Sequence, residues 1–142
     1  MNERSKNYLD GSKRYAIDTS VLIKYYYDQT LFNDEFLSKL VVSEVTLSEV
    51  FYILCRKEGP QKAQNFTRTI STKLEIIPSH KLIMIAANLK CQCSIALADC
   101  WTLAAAINEN IEALFAFREN ELVNNLDLIQ NYVSVVFLDT LI

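Results

Sequence analysis

Apolar residues along the chain occur in short runs that alternate with longer stretches of helical periodicity. The short runs predict strands at 14–18, 41–43, 74–78, 112–117 and 132–138. The longer stretches predict helices at 20–28, 34–40, about 46–57, 60–70, 80–91, 96–110 and 119–126. Short apolar strands that alternate with helices are typical of parallel β-α units, whose helices cover both faces of one sheet. The pattern therefore predicts an α/β fold, a three-layer α/β/α sandwich around a central parallel sheet of about four to five strands.

The domain organisation follows from the same pattern. Residues 1–13 are mostly polar and show no periodicity, so they predict a flexible N-terminal tail. The remaining residues contain no internal repeat, and a chain of 142 residues suits one domain with a sizeable core. The composition agrees, because 51% of the residues are hydrophobic and 22% are charged. We therefore expect one folded domain over 14–142, with Ser20 as the cap of its first helix and Pro60 at the start of another.

The net charge of −3 changes the expectation for binding partners. An acidic protein does not attract nucleic acid through its overall field. A polyanion partner must therefore be held by a local basic patch or through bound cations.

The cysteines indicate the redox state of the compartment in which the protein works. There are four, Cys55, Cys91, Cys93 and Cys100. They show neither a disulfide framework nor the paired spacing of common zinc sites, so buried small side chains are the simpler interpretation. The pattern contains no signal peptide and no long apolar span. We expect a cytoplasmic protein with no membrane contact.

Three acids stand out in the predicted elements. Asp18 ends the first strand, and the carboxyl ends of parallel strands border the usual binding crevice of open α/β sheets. Glu49 lies in an apolar helix, although Thr46-x-x-Glu49 also has the form of a capping box. Asp99 lies in the apolar stretch ALADCWTLAAA, where it has no cap to serve and where an unpaired buried charge is costly. Asp99 therefore predicts a compensating positive charge nearby.

Two further acids, Glu119 and Glu121, follow the strand at 112–117, where acids also complement a helix dipole. If Asp18, Glu49, Asp99 and one of these two glutamates meet at the strand ends, their repulsion must be offset. Two carboxylates about 4 Å apart repel by about 4 kcal/mol at an effective dielectric of about 20. Hard divalent cations, which prefer oxygen ligands, would offset it. We expect a Mg²⁺ or Mn²⁺ site, with candidate ligands Asp18, Glu49, Asp99, Glu119 and Glu121.

Three segments carry a family resemblance. YAIDTSVLIKYYY, VVSEVTLSEVFYIL and SIALADCWTLAAAI, in this order and at these separations, resemble the PIN domain family, which includes the VapC-type toxins of prokaryotic toxin-antitoxin pairs. The likeness covers nearly the whole chain from Arg14 onward. It implies an acidic pocket that binds Mg²⁺ or Mn²⁺. On this resemblance Asp18, Glu49 and Asp99 match the first three acids of the family, and Ser20 matches a small polar residue that supports metal or substrate contact.

The fourth acid is where the sequence departs from the family. Members have a Thr-x-Asp stretch after the fourth strand, whereas this chain has Ala116 and Arg118 at those positions. Glu119 or Glu121 would supply the missing oxygen, and Glu119 is favoured because it is nearer the strand end. The family resemblance implies a second metal ion as well, and the altered fourth position leaves open whether this chain would bind it.

The resemblance implies an endoribonuclease that hydrolyses RNA phosphodiester bonds with a water nucleophile, with Asp18, Glu49, Asp99 and Glu119 as candidate catalytic residues. It also implies a homodimer and, for a toxin, an antitoxin whose basic side chain enters the acidic groove. Several basic and aromatic residues are candidates to contact RNA, although solvated or core positions are the plainer interpretation. They are Arg14, Lys24, Arg56, Lys57, Arg118, Tyr25, Tyr26 and Tyr27.

Two alternatives stay open. The first is a catalytically inert PIN-fold module that binds RNA or protein, in which Arg118 has abolished metal binding. The second is a phosphotransfer enzyme or receiver, which also presents an Asp at a strand end. The second is disfavoured because Ser20 stands where phosphatases have another Asp, and because the strand LEIIP does not end in an acid.

Overall fold

The computed structural model describes residues 9–140, without the side chain of residue 140. Within them the strands are β1 (Tyr15–Ile17), β2 (Leu40–Ser43), β3 (Glu75–Ile77), β4 (Glu112–Phe115) and β5 (Val135–Phe137). The helices are α1 (Thr19–Tyr27), α2 (Asp34–Leu37), α3 (Glu44–Glu58), α4 (Pro60–Ser71), α5 (Ile83–Gln92), α6 (Leu97–Glu109), α7 (Asn120–Asn124) and α8 (Leu126–Ile129). Short 3₁₀ turns occupy Ser79–Lys81 and Leu138–Thr140. None of the described helices has the length and apolar character needed to cross a bilayer.

The strands form one parallel sheet in the order β3-β2-β1-β4-β5. The chain runs outward from β1 to β3 and then returns to the other side of β1, so the strand order reverses between β1 and β4. Ile17 is in register with Leu114, and the Asp18 backbone N–H donates to the Leu114 carbonyl at 2.9 Å. In open α/β sheets a crevice lies beyond the strand ends at such a reversal. The topology thus places Asp18 beside the segment that follows β4.

Both faces of the sheet are covered by helices because successive strand residues point to opposite sides. Tyr15 and Ile17 pack in a core shared with α1, α2, α3 and α4. Ala16 and Phe115 pack in a second core, which is shared with α5, α6, α7 and α8. The predicted α/β/α sandwich with a central parallel sheet is confirmed.

The predicted tail, 1–13, falls partly outside the described residues. In the described part, Leu9 is 4% exposed and belongs to the first core. The Lys39 ammonium donates to the Gly11 carbonyl at 2.8 Å. Leu9 and Gly11 therefore contact the domain, whereas Asp10, Ser12 and Lys13 are exposed.

Two helix starts differ from the prediction. Helix α1 is capped by Asp18, whose carboxylate accepts a hydrogen bond from the Ser20 backbone N–H at 3.0 Å, so the prediction of Ser20 as the cap is wrong. Helix α3 is capped by Ser43, whose hydroxyl accepts from the Thr46 backbone N–H at 3.0 Å. The capping box Thr46-x-x-Glu49 is therefore absent. Glu49 instead lies in the second turn of α3 with no capping role.

Helix α5 offers a matched test of the second core. Leu89 is 2% exposed and Met84 is 81% exposed on the same helix. We expect Leu89→Ala to lower the free energy of unfolding by about 2–5 kcal/mol, because it removes buried apolar contacts and leaves a cavity. Met84→Ala should change it by less than about 0.5 kcal/mol. Urea unfolding of the two variants measures both values, and equal losses would contradict this packing.

Candidate functional site

A cavity of about 660 Å³ lies beyond the carboxyl ends of β1 and β4. Its lining includes four of the five predicted metal ligands, namely Asp18, Glu49, Asp99 and Glu119. These acids come from four different segments, which are separated by up to about a hundred residues of chain. The structure therefore brings together the acids that the sequence suggested would meet.

Asp18 is held firmly at one side of this cavity. It is 6% exposed, and its Oδ2 accepts hydrogen bonds from the Ser20 backbone N–H at 3.0 Å and from the Ser20 hydroxyl at 2.6 Å. Burial raises the pKa of the Asp18 carboxyl, whereas the hydrogen bonds from Ser20 act in the opposite direction. The start of α1 also favours a negative charge there.

Ser20 connects Asp18 to the end of β4. Its hydroxyl donates to Asp18 and accepts a hydrogen bond from the Ala116 backbone N–H at 3.0 Å. Ser20 lines the cavity, and its direct contact in the structure is with the carboxylate. It therefore fixes the Asp18 side chain relative to the strand beside it.

Asp99 lies in the first turn of α6 and is 9% exposed. Helix α6 has no side-chain cap, so the prediction that Asp99 serves no cap is confirmed. Burial raises the pKa of the Asp99 carboxyl to about 8, and repulsion from nearby acids adds to the shift. Those acids are Asp18, Glu119, Glu49 and Glu121.

The expected positive partner of Asp99 is absent among the described residues. Every ion pair within 4.0 Å in that part of the chain involves an acid outside the cavity. Those acids are Glu58, Glu75, Glu109, Glu112 and Asp34. The cavity acids are therefore not neutralised by a lysine or arginine of the described residues.

Glu49 belongs to one face of α3 that forms a wall of the cavity. Glu49, Ile53 and Lys57 all line it, at the four-residue spacing that places side chains on the same side of a helix. Helix α1 forms another wall through Ser20, together with Lys24 and Tyr27. Each wall therefore combines apolar surface with a lysine.

The segment after β4 decides between the candidates for the fourth acid. Glu119 lines the cavity, and burial together with the charge of Asp18 raises the pKa of its carboxyl. Glu121 lies in the first turn of α7 and is absent from the lining. The Arg118 guanidinium lies 4.8 Å from the centre of the Phe137 ring and also stays out of the lining. The substitution at the family's fourth position therefore puts no positive charge on the cavity wall.

The predicted RNA-contacting residues separate into two groups. Lys24, Lys57 and Tyr27 line the cavity, and Lys24 Nζ lies 5.5 Å from the centre of the exposed Phe117 ring. The others are engaged elsewhere: Arg14 pairs with Glu75, Arg56 lies over Tyr52, Tyr25 is in the core and Tyr26 packs on Phe66.

Buried hydroxyls beside the acids were missed in the sequence. Thr102 donates to Asp18 Oδ1 at 3.4 Å from within the apolar helix α6. The Thr19 hydroxyl is buried without a partner among the described residues, and Thr19 lines the cavity. A threonine in an apolar helix carries no periodic signal, so composition and spacing could not find either one.

The donor set can be compared with the needs of a divalent cation. As placed, no three His, Cys, Asp or Glu side chains among the described residues form a group that could hold a metal ion directly. Mg²⁺ keeps several waters and commonly uses only one or two carboxylates, so it does not require such a group. Two buried carboxylates, two more acids on the walls and an unpartnered hydroxyl are oxygen donors that fit Mg²⁺ or Mn²⁺.

The raised pKa of Asp99 predicts a pH effect on stability in the presence of a chelator. In the unfolded chain Asp99 loses its proton near pH 3.8, whereas in the folded protein it keeps the proton to about pH 8. Stability therefore falls as pH rises through this window, by at most about 1.4 kcal/mol per pH unit. Asp99→Asn should give a shallower profile than wild type in urea unfolding. Asp127→Asn, at an exposed acid, should keep the wild-type slope, and parallel profiles for all three proteins would contradict the shift.

Comparisons with known proteins agree with this geometry. A family model for the PIN domain matches residues 15–122. DNA-bound VapBC from Salmonella typhimurium is similar with a TM-score of 0.61 and 14% identity, covering 89% of this chain and 98% of that one. VapBC-1 from nontypeable Haemophilus influenzae is similar with a TM-score of 0.59 and 15% identity, and the match covers 87% of this chain and 96% of that one. A toxin-antitoxin complex from Klebsiella pneumoniae is similar with a TM-score of 0.55 and 18% identity, and the match covers 75% of this chain and 88% of that one.

No curated protein sequence is similar enough to this chain to give a match. The solved structures are less than 20% identical to it, so their likeness concerns the fold. The family model, in contrast, spans most of the chain, and the matched residues include all five acids that line the cavity. The chain belongs to the PIN domain family.

Proposed function

We propose that this protein is an endoribonuclease that hydrolyses RNA phosphodiester bonds with Mg²⁺ or Mn²⁺, and that it is the toxin of a toxin-antitoxin pair. PIN domains of the VapC type are generally nucleases, and the family generally uses divalent metals. One observation carries the proposal. Two buried carboxylates, Asp18 and Asp99, line an open cavity whose acids have no ion-pair partner among the described residues.

The energetic argument favours a cation. A buried carboxylate without a positive partner is costly, and Asp99 responds by keeping its proton to about pH 8. A divalent ion would replace that proton and offset the repulsion among the five acids that line the cavity. Asp18 and Asp99 are the residues that would hold it, with Glu49 and Glu119 on the surrounding walls.

The residues of the chain then have distinct roles. A bound divalent cation supplies activation of a water molecule and polarisation of the scissile phosphate. Glu49, on the α3 wall, orients the attacking water by accepting its hydrogen bond. Ser20 keeps Asp18 in one orientation through its 2.6 Å hydrogen bond. Attack by water leaves a 5′-phosphate and a 3′-hydroxyl.

The walls of the cavity suit a single nucleic-acid strand. Lys24 and Lys57 stand on different helices, so they can contact phosphates on either side of the acids. Tyr27 and Phe117 are 56% and 50% exposed, and both line the cavity. Exposed aromatic rings are platforms on which unpaired bases stack. These features support RNA as the substrate of this acidic protein.

The partners are part of the same proposal. The Klebsiella pneumoniae neighbour is described as a toxin-antitoxin complex, and this chain shares its fold. The cavity combines apolar wall residues, such as Ile23 and Ile53, with unpaired acids, so it suits an antitoxin segment with apolar side chains and an inserted Arg or Lys. A homodimer also belongs to the proposal and rests on the family resemblance.

The inert PIN-fold module is the less favoured function. Its support was Arg118 at the fourth acidic position, where a positive charge would compete with a metal ion. Arg118 lies over Phe137 instead, and Glu119 lines the cavity. One observation still suits an inert protein, because no three acidic, histidine or cysteine side chains of the described residues form a group that could hold a metal ion directly.

Removal of one buried carboxylate tests the proposed reaction. We expect Asp99→Asn to lower Mn²⁺-dependent cleavage of total cellular RNA by more than about 100-fold, because it removes a direct cation ligand. Excess chelator should abolish wild-type cleavage, and Asp127→Asn should keep wild-type activity. Equal cleavage in all of these samples would indicate a contaminating nuclease and would contradict the proposal.

A matched pair of variants identifies the fourth acid. Glu119 lines the cavity and Glu121 does not, so Glu119→Gln should weaken Mn²⁺ binding about 10-fold in calorimetry, whereas Glu121→Gln should change it less than about 2-fold. Both substitutions remove one negative charge, so they change the net charge of the protein by the same amount. A larger effect at Glu121 would assign the role to that residue.

A further inference from the structure

Three buried hydroxyls form a chain that ends on Asp18. The Ser43 and Thr46 hydroxyls are 2.9 Å apart, the Thr46 and Thr102 hydroxyls are 3.4 Å apart, and the Thr102 hydroxyl is 3.4 Å from Asp18 Oδ1. All four residues are at most 6% exposed. They come from the end of β2, from α3, from α6 and from the end of β1. The chain thus connects four elements through the interior behind the cavity.

The direction of the donors in this chain is fixed by chemistry. A carboxylate that binds a cation is ionised and only accepts hydrogen bonds, so in the cation-bound state the bond to Asp18 uses the proton of Thr102. Thr102 then accepts from Thr46, and Thr46 accepts from Ser43. The Ser43 oxygen in turn accepts from the Thr46 backbone N–H at 3.0 Å. Each hydroxyl donates once towards Asp18, and such aligned bonds strengthen one another.

The hydroxyl chain donates to the Asp18 oxygen that receives no hydrogen bond from Ser20. Ser20 donates to Oδ2 and Thr102 donates to Oδ1, so the carboxylate is restrained on both oxygens. Thr102 also lies three residues after Asp99 on α6, which is close to one helical turn. The hydrogen bond from Thr102 therefore connects Asp18 to the helix that carries Asp99.

We propose that Thr102 is a positioning residue that orients Asp18 for cation binding, and that Thr46 and Ser43 support it from behind. This inference rests on the proposed function, in which Asp18 and Asp99 hold the cation. Packing alone does not explain the residue, because a buried hydroxyl is costly unless it is hydrogen-bonded and valine has the same shape. Thr102 does not line the cavity, so it acts through Asp18 rather than on the substrate.

The test compares two substitutions at Thr102. Thr102→Val keeps the shape and removes the donor, whereas Thr102→Ser keeps the donor. We expect Thr102→Val to weaken Mn²⁺ binding in calorimetry by about 3- to 10-fold, in line with the loss of one hydrogen bond to a charged group. Thr102→Ser should bind within about 2-fold of wild type. In RNA cleavage at saturating Mn²⁺, Thr102→Val should lower kcat and leave KM unchanged.

Thr67 provides the matched control. Its hydroxyl is buried in α4 and has no hydrogen-bond partner among the described residues, and Thr67 does not line the cavity. Thr67→Val should therefore leave Mn²⁺ binding unchanged. If Thr102→Val does not fold cooperatively in chelator, Thr46→Val removes the next donor and should shift Mn²⁺ binding in the same direction.

The outcomes separate the inference from the proposed function. Weaker binding in Thr102→Val with recovery in Thr102→Ser supports the positioning role. Wild-type affinity in a folded Thr102→Val overturns it and leaves the proposed function standing. Absence of Mn²⁺ uptake by the wild-type protein overturns the proposed function itself, and the inference with it.

Discussion

The cost of burying carboxylates without a positive partner is the constraint on which the rest of this structure depends. Asp18 and Asp99 are 6% and 9% exposed, and the ion pairs of the described residues lie elsewhere. The protein reduces this cost in two ways. Asp18 accepts hydrogen bonds on both oxygens, which oppose the rise of its pKa on burial. Asp99 accepts none from the described residues, and burial raises its pKa to about 8. The two acids are therefore stabilised differently, Asp18 by hydrogen bonds and Asp99 by retaining a proton.

The parallel sheet is what makes such an arrangement possible. The strand order reverses between β1 and β4, so the segments that follow these strands diverge and leave space beyond their ends. Helices α1 and α6 both begin at this edge, and their N-terminal dipoles favour negative charge near Asp18 and Asp99. Helix α3 then adds Glu49 from the side. The fold thus determines where these acids lie, and the buried hydroxyl chain orients the carboxylate of Asp18.

The sequence was informative where local pattern decides the outcome. The alternation of short apolar runs with helical stretches led directly to the sheet, and the apolar context of Asp99 led to the site. Caps were predicted less well, because Asp18 and Ser20, or Ser43 and Thr46, compete for one role and the backbone decides between them. The contact between Thr102 and Asp18 spans 84 residues, and no local pattern encodes it. The direction of Arg118 likewise depends on Phe137, which lies on a neighbouring strand.

Charge balance in the cavity bears on how many cations it would accept. Its lining contains five acids, Asp18, Asp28, Glu49, Asp99 and Glu119, and two lysines, Lys24 and Lys57. If a divalent cation replaces the Asp99 proton, the five acids exceed the two lysines by three formal negative charges, and one divalent ion offsets two of them. An aspartate at position 118 that faced the cavity would add a further negative charge, but Arg118 is directed to Phe137. A second divalent ion would therefore give the lining a net positive charge, which RNA phosphates would offset. On the proposed function, these formal charges favour one resident cation, with any second one entering together with the substrate.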